Sequence, residues 1–329
     1  MSNRRQFIQQ TTLASAALAS FSFLSSRANP KPALQPDIKT GGVKMITLDN
    51  GYKVWTKKVG NGRLKVLTLH GGPGCTHEYF ECFEDFLPQE GIEFYYYDQL
   101  GSEYSDKPTD TKLWQIDRFT AEVEQVRKSL GLDNFVLYGQ SWGGMLGIEY
   151  ALQYQQHLKG LVISNMTASI PSYLKYINEL RSKFGTETEA LLQKYEKADD
   201  YNNPVYQKVL IDKLYNAHIC RITPWPEPVE RMFRHLALPV YNTMQGNNEF
   251  VVTGNFASWD RWKDLPKIKI PTFLTVGKFD TMREDDIREM ARLIPKSSFY
   301  LTENGSHLSM WDDQESYFKG LLGFLKNLK

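Results

Sequence analysis

The sequence predicts an α/β fold, a mostly parallel sheet covered by helices on both faces, with a helical cap inserted into it. Three observations predict this. Short apolar runs alternate with segments of helical period, the pattern of strand–helix–strand units. Between residues 167 and 262 the alternation breaks into polar, aromatic, helix-like text punctuated by Pro204, Pro224, Pro226 and Pro228, and afterwards it resumes. The run Val136-Leu137-Tyr138 passes through Gly139-Gln140-Ser141-Trp142-Gly143-Gly144 straight into helix-compatible residues, so a strand should end in a tight turn that holds a serine at its tip. The expected organisation is a core of residues 43–166 and 263–329 with the cap at 167–262.

With 329 residues, 41% of them hydrophobic and 13% aromatic, the chain has material for a substantial buried core. A formal net charge of +1, both signs interspersed, argues against a nucleic-acid or anionic-membrane surface. A small or locally charged ligand fits better. Cys75, Cys82 and Cys220 show no metal-ligand spacing, and three cannot close a disulfide framework. They read as buried small hydrophobes, with a Cys75–Cys82 bridge left open for an oxidising compartment. Neither a metal nor an organic cofactor is implied, and nothing in the pattern speaks to oligomeric state.

The first residues differ in character. Arg4-Arg5 precedes a mildly apolar segment, Thr11 to Leu24, rich in Ala and Ser, and Ser26-Arg27-Ala28 puts small residues where a signal peptidase reads. This is similar to a twin-arginine export signal, and implies that residues 1–28 are removed on the way to a periplasmic location. The apolar stretch falls short of the ~20 predominantly apolar residues of a membrane span. An uncleaved anchor or an amphipathic helix is the alternative. Residues 29–42, with Pro30, Pro32, Pro36 and Gly41-Gly42, read as a linker.

Val43 to Leu48 and Tyr52 to Lys57 flank Asp49-Asn50-Gly51, a turn that tolerates positive φ, and predict a hairpin at the antiparallel edge of the sheet. Leu64 to Leu69 is a buried strand running into His70-Gly71-Gly72-Pro73-Gly74, whose glycines let backbone amides approach a ligand. Ile92 to Tyr97 is the next strand and ends in Asp98-Gln99-Leu100-Gly101. Phe119, Val123, Val126 and Leu130 share one face of a helix that Gly131 can terminate. After Ser141 a helix to about residue 154 leads to a strand from Gly160 to Ser164. Beyond the cap come a strand from Ile270 to Val276 and a helix with Ile287, Met290, Ala291 and Ile294 on one face. The strand Ser298 to Thr302 and a last helix from about Gln314 to Leu328 complete the chain.

A serine hydroxyl is a poor nucleophile at neutral pH, so a working turn of this kind needs a histidine in reach and a carboxylate to hold the imidazole. In this architecture the order is serine, acid, histidine, in loops beyond the carboxyl ends of the strands. Asp280 follows Phe273-Leu274-Thr275-Val276-Gly277, and His307 stands in Asn304-Gly305-Ser306-His307 after the last strand. Asp285 and Asp286 are better explained as first-turn helix charges. Of the other histidines, His70 reads as a structural hydrogen-bonding residue and His77 follows the glycine loop. His157, His218 and His235 occupy helix-like text. The oxyanion of acyl transfer needs donors: the Trp142 amide is one and an amide of the Gly71-Gly72 loop the other. That loop lacks the Lys-Ser/Thr of a phosphate-binding loop.

These five segments, His70 to Gly74, Asp98 to Gly101, Gly139 to Gly144, Val276 to Asp280 and Gly305 to His307, resemble in kind and order those of the proline iminopeptidase (prolyl aminopeptidase) family of α/β-hydrolases. The resemblance covers almost everything after the linker. It implies Ser141 as nucleophile, His307 as general base then acid, Asp280 as the residue orienting it, and Gly71 with Trp142 as oxyanion donors. Met244-Gln245-Gly246-Asn247-Asn248-Glu249-Phe250 resembles a family segment whose glutamate binds the substrate's free α-amine, which implies that role for Glu249. A buried ammonium needs such a charge-assisted partner. Apart from the resemblance, Glu249 reads as a solvated cap residue.

Two departures bear on specificity. Thr281 stands where some members carry a second glutamate, and Ser102-Glu103-Tyr104 where small residues or glycine are commoner. Glu103 is therefore expected to supply the missing amine contact, and Trp142, Phe80 and Tyr79 to pack on a pyrrolidine ring. The implied substrate is a small peptide or aminoacyl amide with a free N-terminal amine, proline first. Relatives with similar motifs include amino-acid amidases and broader aminopeptidases. A carboxylesterase would not need the amine contact, and a non-catalytic binding protein would have no use for a complete Ser-Asp-His set. Ser141 in place of an aspartate at the tip argues against haloalkane dehalogenase or epoxide hydrolase chemistry.

Overall fold

The computed structural model describes residues 40–328. The expected export segment and residues 29–39 of the expected linker lie outside the described residues. Eight strands form one sheet in the order β1-β2-β4-β3-β5-β6-β7-β8. They are β1 (Thr40–Thr47), β2 (Lys53–Val59), β3 (Leu64–Leu69), β4 (Ile92–Asp98), β5 (Phe135–Gln140), β6 (Leu158–Ser164), β7 (Thr272–Gly277) and β8 (Ser297–Thr302). The β1–β2 and β2–β4 pairs are antiparallel, and every other neighbour is parallel.

The edge hairpin turns at Gly51, φ 85°, with the Leu48 N–H on the Tyr52 carbonyl at 2.8 Å. Its first strand begins at Thr40, so residues 40–42 belong to the sheet and not to a linker. The register slips between Thr40 and Val43, and Gly41-Gly42 make such an irregularity cheap. The central strands β4 and β5 are buried at every residue, which is why they read as continuous apolar runs and not as alternation.

Helices α1 (Ile116–Leu130) and α2 (Trp142–Tyr154) precede and follow β5. Gly131 ends α1 in the left-handed region at φ 63°, its N–H returning to the Arg127 and Lys128 carbonyls. Between β3 and β4 the chain forms 3-10 turns over His77–Asp85, pressing Tyr79, Phe80 and Phe83 into the core.

Between β6 and β7 the cap is built from α3 (Ile170–Ser182), α4 (Thr186–Lys197), α5 (Pro204–Leu210), α6 (Glu227–Arg234) and α7 (Leu238–Met244). A π-helix over Ile211–Ile219 prolongs α5. Ser169 and Asn203 cap the starts of α3 and α5 by accepting the Ser172 and Val205 amides. The chain then returns through β7, α8 (Glu284–Leu293), β8, α9 (Ser309–Asp312) and α10 (Gln314–Lys326).

Two seams join cap to core. At one, Arg231 pairs with Glu78 and Glu81, and His235 meets the buried Glu78 carboxylate at 2.9 Å. At the other, the carbonyls of His218 and Ile219, at the end of the π-helix, accept the His307 and Leu308 amides at 2.9 Å. The Ser306 hydroxyl also donates to the Ile219 carbonyl. The cap and the loop carrying His307 are thus one hydrogen-bonded unit. All three cysteines are buried and free, so Cys75 and Cys82 form no bridge. Among the described residues no helix is long and apolar enough to cross a membrane.

Candidate active site

Ser141 sits between β5 and α2 with φ 54° and ψ −127°, a conformation a non-glycine residue adopts only where its surroundings hold it. The flanking glycines permit that turn. A Cβ on Gly139 would lie 2.0 Å from the Gly143 carbonyl oxygen, and one on Gly143 would lie 2.0 Å from the Leu69 carbonyl oxygen. Strand, turn and helix close to this distance only without side chains. Among the described residues the Ser141 hydroxyl makes no hydrogen bond; contacts of this kind are commonly drawn tight by a bound substrate.

His307 and Asp280 come together from the loops after β8 and β7. His307 Nδ1 meets Asp280 Oδ1 at 2.8 Å, leaving Nε2 as the ring's outward nitrogen. Asp280 is held in turn: Asn165 Nδ2 donates to Oδ2 at 2.6 Å, and the Met282 amide and Thr281 hydroxyl donate to Oδ1. Burial by itself lowers the basicity of His307, but the charge and hydrogen bond of Asp280, with Glu249 behind them, carry it above its ordinary 6.5. Gln140 ties this pair to the serine turn, its Nε2 donating to the His307 carbonyl at 3.0 Å.

The glycine loop corrects one expectation. The Gly71 N–H is already taken, donating at 2.7 Å to the Tyr79 hydroxyl, which donates on to Gln140 Oε1 at 2.8 Å. Gly72, at φ 110°, is the residue that borders the space beside Ser141. Among the described residues neither its amide nor that of Trp142 has an acceptor, and for Trp142 this follows from its place as the first residue of α2. The loop is braced by His70, whose Nε2 accepts the Gln99 amide while Nδ1 binds the Gly71 carbonyl. Burial lowers the basicity of His70, consistent with a neutral structural ring. Gln99 also accepts the Trp142 indole N–H at 2.8 Å. The Asp98-Gln99-Leu100-Gly101 segment is therefore scaffolding behind both donors.

Ser141, Gly72 and Trp142 share one pocket with Glu249, whose apolar walls include Met145, Met166, Ile170, Phe256 and Met282. Glu249 enters from the cap. The one Tyr173 hydroxyl hydrogen is shared between the Glu249 carbonyl at 2.6 Å and its Oε1 at 2.9 Å, and Tyr241 donates to Oε2 at 3.3 Å. Burial raises its carboxyl above the ordinary 4.5, against the pull of His307 and of the two tyrosine hydroxyls. A carboxylate desolvated this way favours a cationic partner.

Glu103 does not reach the pocket: it is exposed and paired with Lys107 one turn on. Nor do Phe80 and Tyr79 line it. Phe80 is wholly buried against Phe83 and Tyr138, while Trp142 does line it, stacked at 5.8 Å on Phe256. Sequence reasoning missed Asn165, Tyr173, Tyr241 and Gln245. Asn165 follows the carboxyl end of β6, the position where the sheet rule looks for functional groups. Gln245 lay inside the segment quoted for Glu249. Tyr173 and Tyr241 carried no local signal.

A family model described as the alpha/beta hydrolase fold matches residues 66–314. A proline iminopeptidase from Elizabethkingia meningoseptica is 46% identical over 291 residues, 87% of this chain and 98% of that relative. One from Flavobacterium johnsoniae is 47% identical over 281 residues, 84% of this chain and 95% of that relative. The crystal structure of a proline iminopeptidase from Mycobacterium smegmatis superposes with a TM-score of 0.81 at 27% identity, covering 87% of this chain and 98% of that one. Similarity of that extent, spanning sheet, cap and site alike, shows that the chain belongs to the proline iminopeptidase family of α/β-hydrolases.

Proposed function

We infer that the protein is a serine aminopeptidase that releases an N-terminal residue, proline foremost, from small peptides or aminoacyl amides. The observation that carries this reading is Glu249: a carboxylate from the cap opens onto the same apolar pocket as Ser141. An esterase has no need of a desolvated anion beside its acyl site; an enzyme that holds an ammonium there does. In the mechanism, the substrate amine docks on Glu249 and its carbonyl carbon meets Ser141 Oγ. His307 Nε2 takes the hydroxyl proton as the bond forms, and Asp280 keeps the ring in the tautomer that allows it. The amides of Gly72 and Trp142 receive the oxyanion. His307 then protonates the leaving amine, and water releases the acyl group by the reverse transfers.

The test is a panel of prolyl and alanyl arylamides with free and with acetylated amines, together with phosphonate labelling of Ser141. Turnover should be confined to free amines, with proline preferred and Ser141 labelled. Equal turnover of blocked substrates would favour a carboxylesterase or general amidase, and an unlabelled Ser141 would remove the hydrolase mechanism. We further propose export to the periplasm, supported by Arg4-Arg5 and the Ala- and Ser-rich segment after it. Replacing both arginines with lysine should retain activity in the cytoplasmic fraction; an unchanged distribution would remove the proposal.

A further inference from the structure

One polar group in the pocket has no part in the mechanism above. Gln245 is 4% exposed and lines the pocket with Ser141 and Glu249. Its Nε2 is sealed from solvent without a hydrogen-bond partner, whereas its oxygen, also unbonded, is not sealed off. The sealed Nε2 is out of a ligand's reach, but the oxygen, accessible and unbonded on a residue that lines the pocket, is an acceptor free to take an N–H from a ligand. Its backbone is fixed: the N–H donates to the Tyr241 carbonyl at 2.8 Å and the carbonyl accepts the Thr253 and Gly254 amides at 2.9 Å. The surrounding loop leaves little room to relax, since a Cβ on Gly254 would lie 2.0 Å from the Met244 carbonyl oxygen and one on Gly246 would lie 2.5 Å from that of Val251. Thr281, meanwhile, spends its hydroxyl on Asp280 and brings no charge.

We propose that Gln245 is the second acceptor for the substrate's N-terminal amine, its carboxamide oxygen taking one N–H while Glu249 takes another. The pocket then offers one charged and one neutral acceptor. A prolyl ammonium is secondary and carries two N–H bonds, both satisfied by this pair. A primary ammonium carries three, and its third is left without an acceptor in an apolar enclosure. The pairing selects N-terminal residues whose nitrogen is secondary, proline above all. It rests on the aminopeptidase reading.

The experiment is steady-state kinetics of wild type, Gln245→Leu and Gln245→Glu on three probes. These are prolyl and alanyl arylamides and an aryl ester of cyclopentanecarboxylic acid, which keeps the ring without the nitrogen. For Gln245→Leu the KM for the prolyl substrate should rise roughly 10-fold or more, the effect of losing one hydrogen bond to a charged group. Its kcat should change by less than about threefold, and the ester, which also reports a folded site, should turn over as in wild type. For Gln245→Glu the ratio of alanyl to prolyl kcat/KM should increase, because a second anion serves the extra N–H. Equal losses on the prolyl substrate and the ester, or no loss on either, would overturn the role of Gln245. Wild-type indifference to the amine, seen as equal turnover of acetylated prolyl arylamide, would instead overturn the aminopeptidase reading before any variant is compared.

Discussion

Gln140 shows how much of the site hangs on a side chain outside the lining of its pocket. Its oxygen receives the Tyr79 hydroxyl that holds the Gly71 amide, and its nitrogen holds the His307 carbonyl. One carboxamide, adjacent to Ser141, thereby sets the glycine loop and the histidine loop against the serine. Misplacement by about 1 Å in such a constellation costs roughly 100-fold in rate. Gln140→Leu, which fills the same space without either bond, should lower kcat by roughly 10- to 100-fold with little change in KM. The acid limb of the pH profile should stay in place, because the His307–Asp280 contact is not altered. A KM rise with unchanged kcat would show that Gln140 shapes binding and not the alignment of the reacting groups.

At the scale of elements, the parallel core was legible because its physics is local. Continuous apolar runs give the buried strands, Gly131 marks the end of α1, and Gly139 and Gly143 mark the two close approaches that make the serine turn. Ser141, Asp280 and His307 were legible for a related reason: sheet topology assigns functional groups to strand ends, and each stands just past one. The surroundings of Glu249 were harder to read because they are assembled from the cap, where proximity has no simple period. Tyr173 lies in the first turn of the first cap helix, Tyr241 in that of the last, and Glu249 follows in a loop, yet both hydroxyls meet its carboxylate. Glu103 illustrates the same limit from the other side. Its closeness in sequence to the Asp98-Gln99-Leu100-Gly101 segment suggested the site, but the chain turns outward there and the carboxylate pairs with Lys107. Gly71 and Gly72 could not be told apart by composition, since the difference lies in which amide Tyr79 occupies.

For the molecule as a whole, the cap carboxylate beside Ser141 works against the stability of the fold. Burial raises the Glu249 carboxyl above its ordinary 4.5, so ionising it costs more in the native state than in the unfolded chain. Its ionisation does not oppose folding below about pH 4.5, the penalty develops as pH rises through the native value, and above that it is complete. Glu124 has the opposite sign. Burial pushes its carboxyl up, but hydrogen bonds from Arg127 and Tyr150 more than offset this and bring it to about 2. Its contribution is present above 4.5 and fades as pH falls toward 2. A difference between two proteins that share Glu124 but differ at residue 249 therefore isolates the site. Glu249→Gln keeps the shape and can still bond Tyr173 and Tyr241, so its melting temperature should match wild type at pH 4 and exceed it at pH 8, while turnover of prolyl arylamide falls roughly 10- to 100-fold or more. Melting measured at both pH values decides the matter: a variant no more stable than wild type at pH 8 would mean that the bonds from the two tyrosines compensate the buried charge in full, and that the fold holds this anion at no expense.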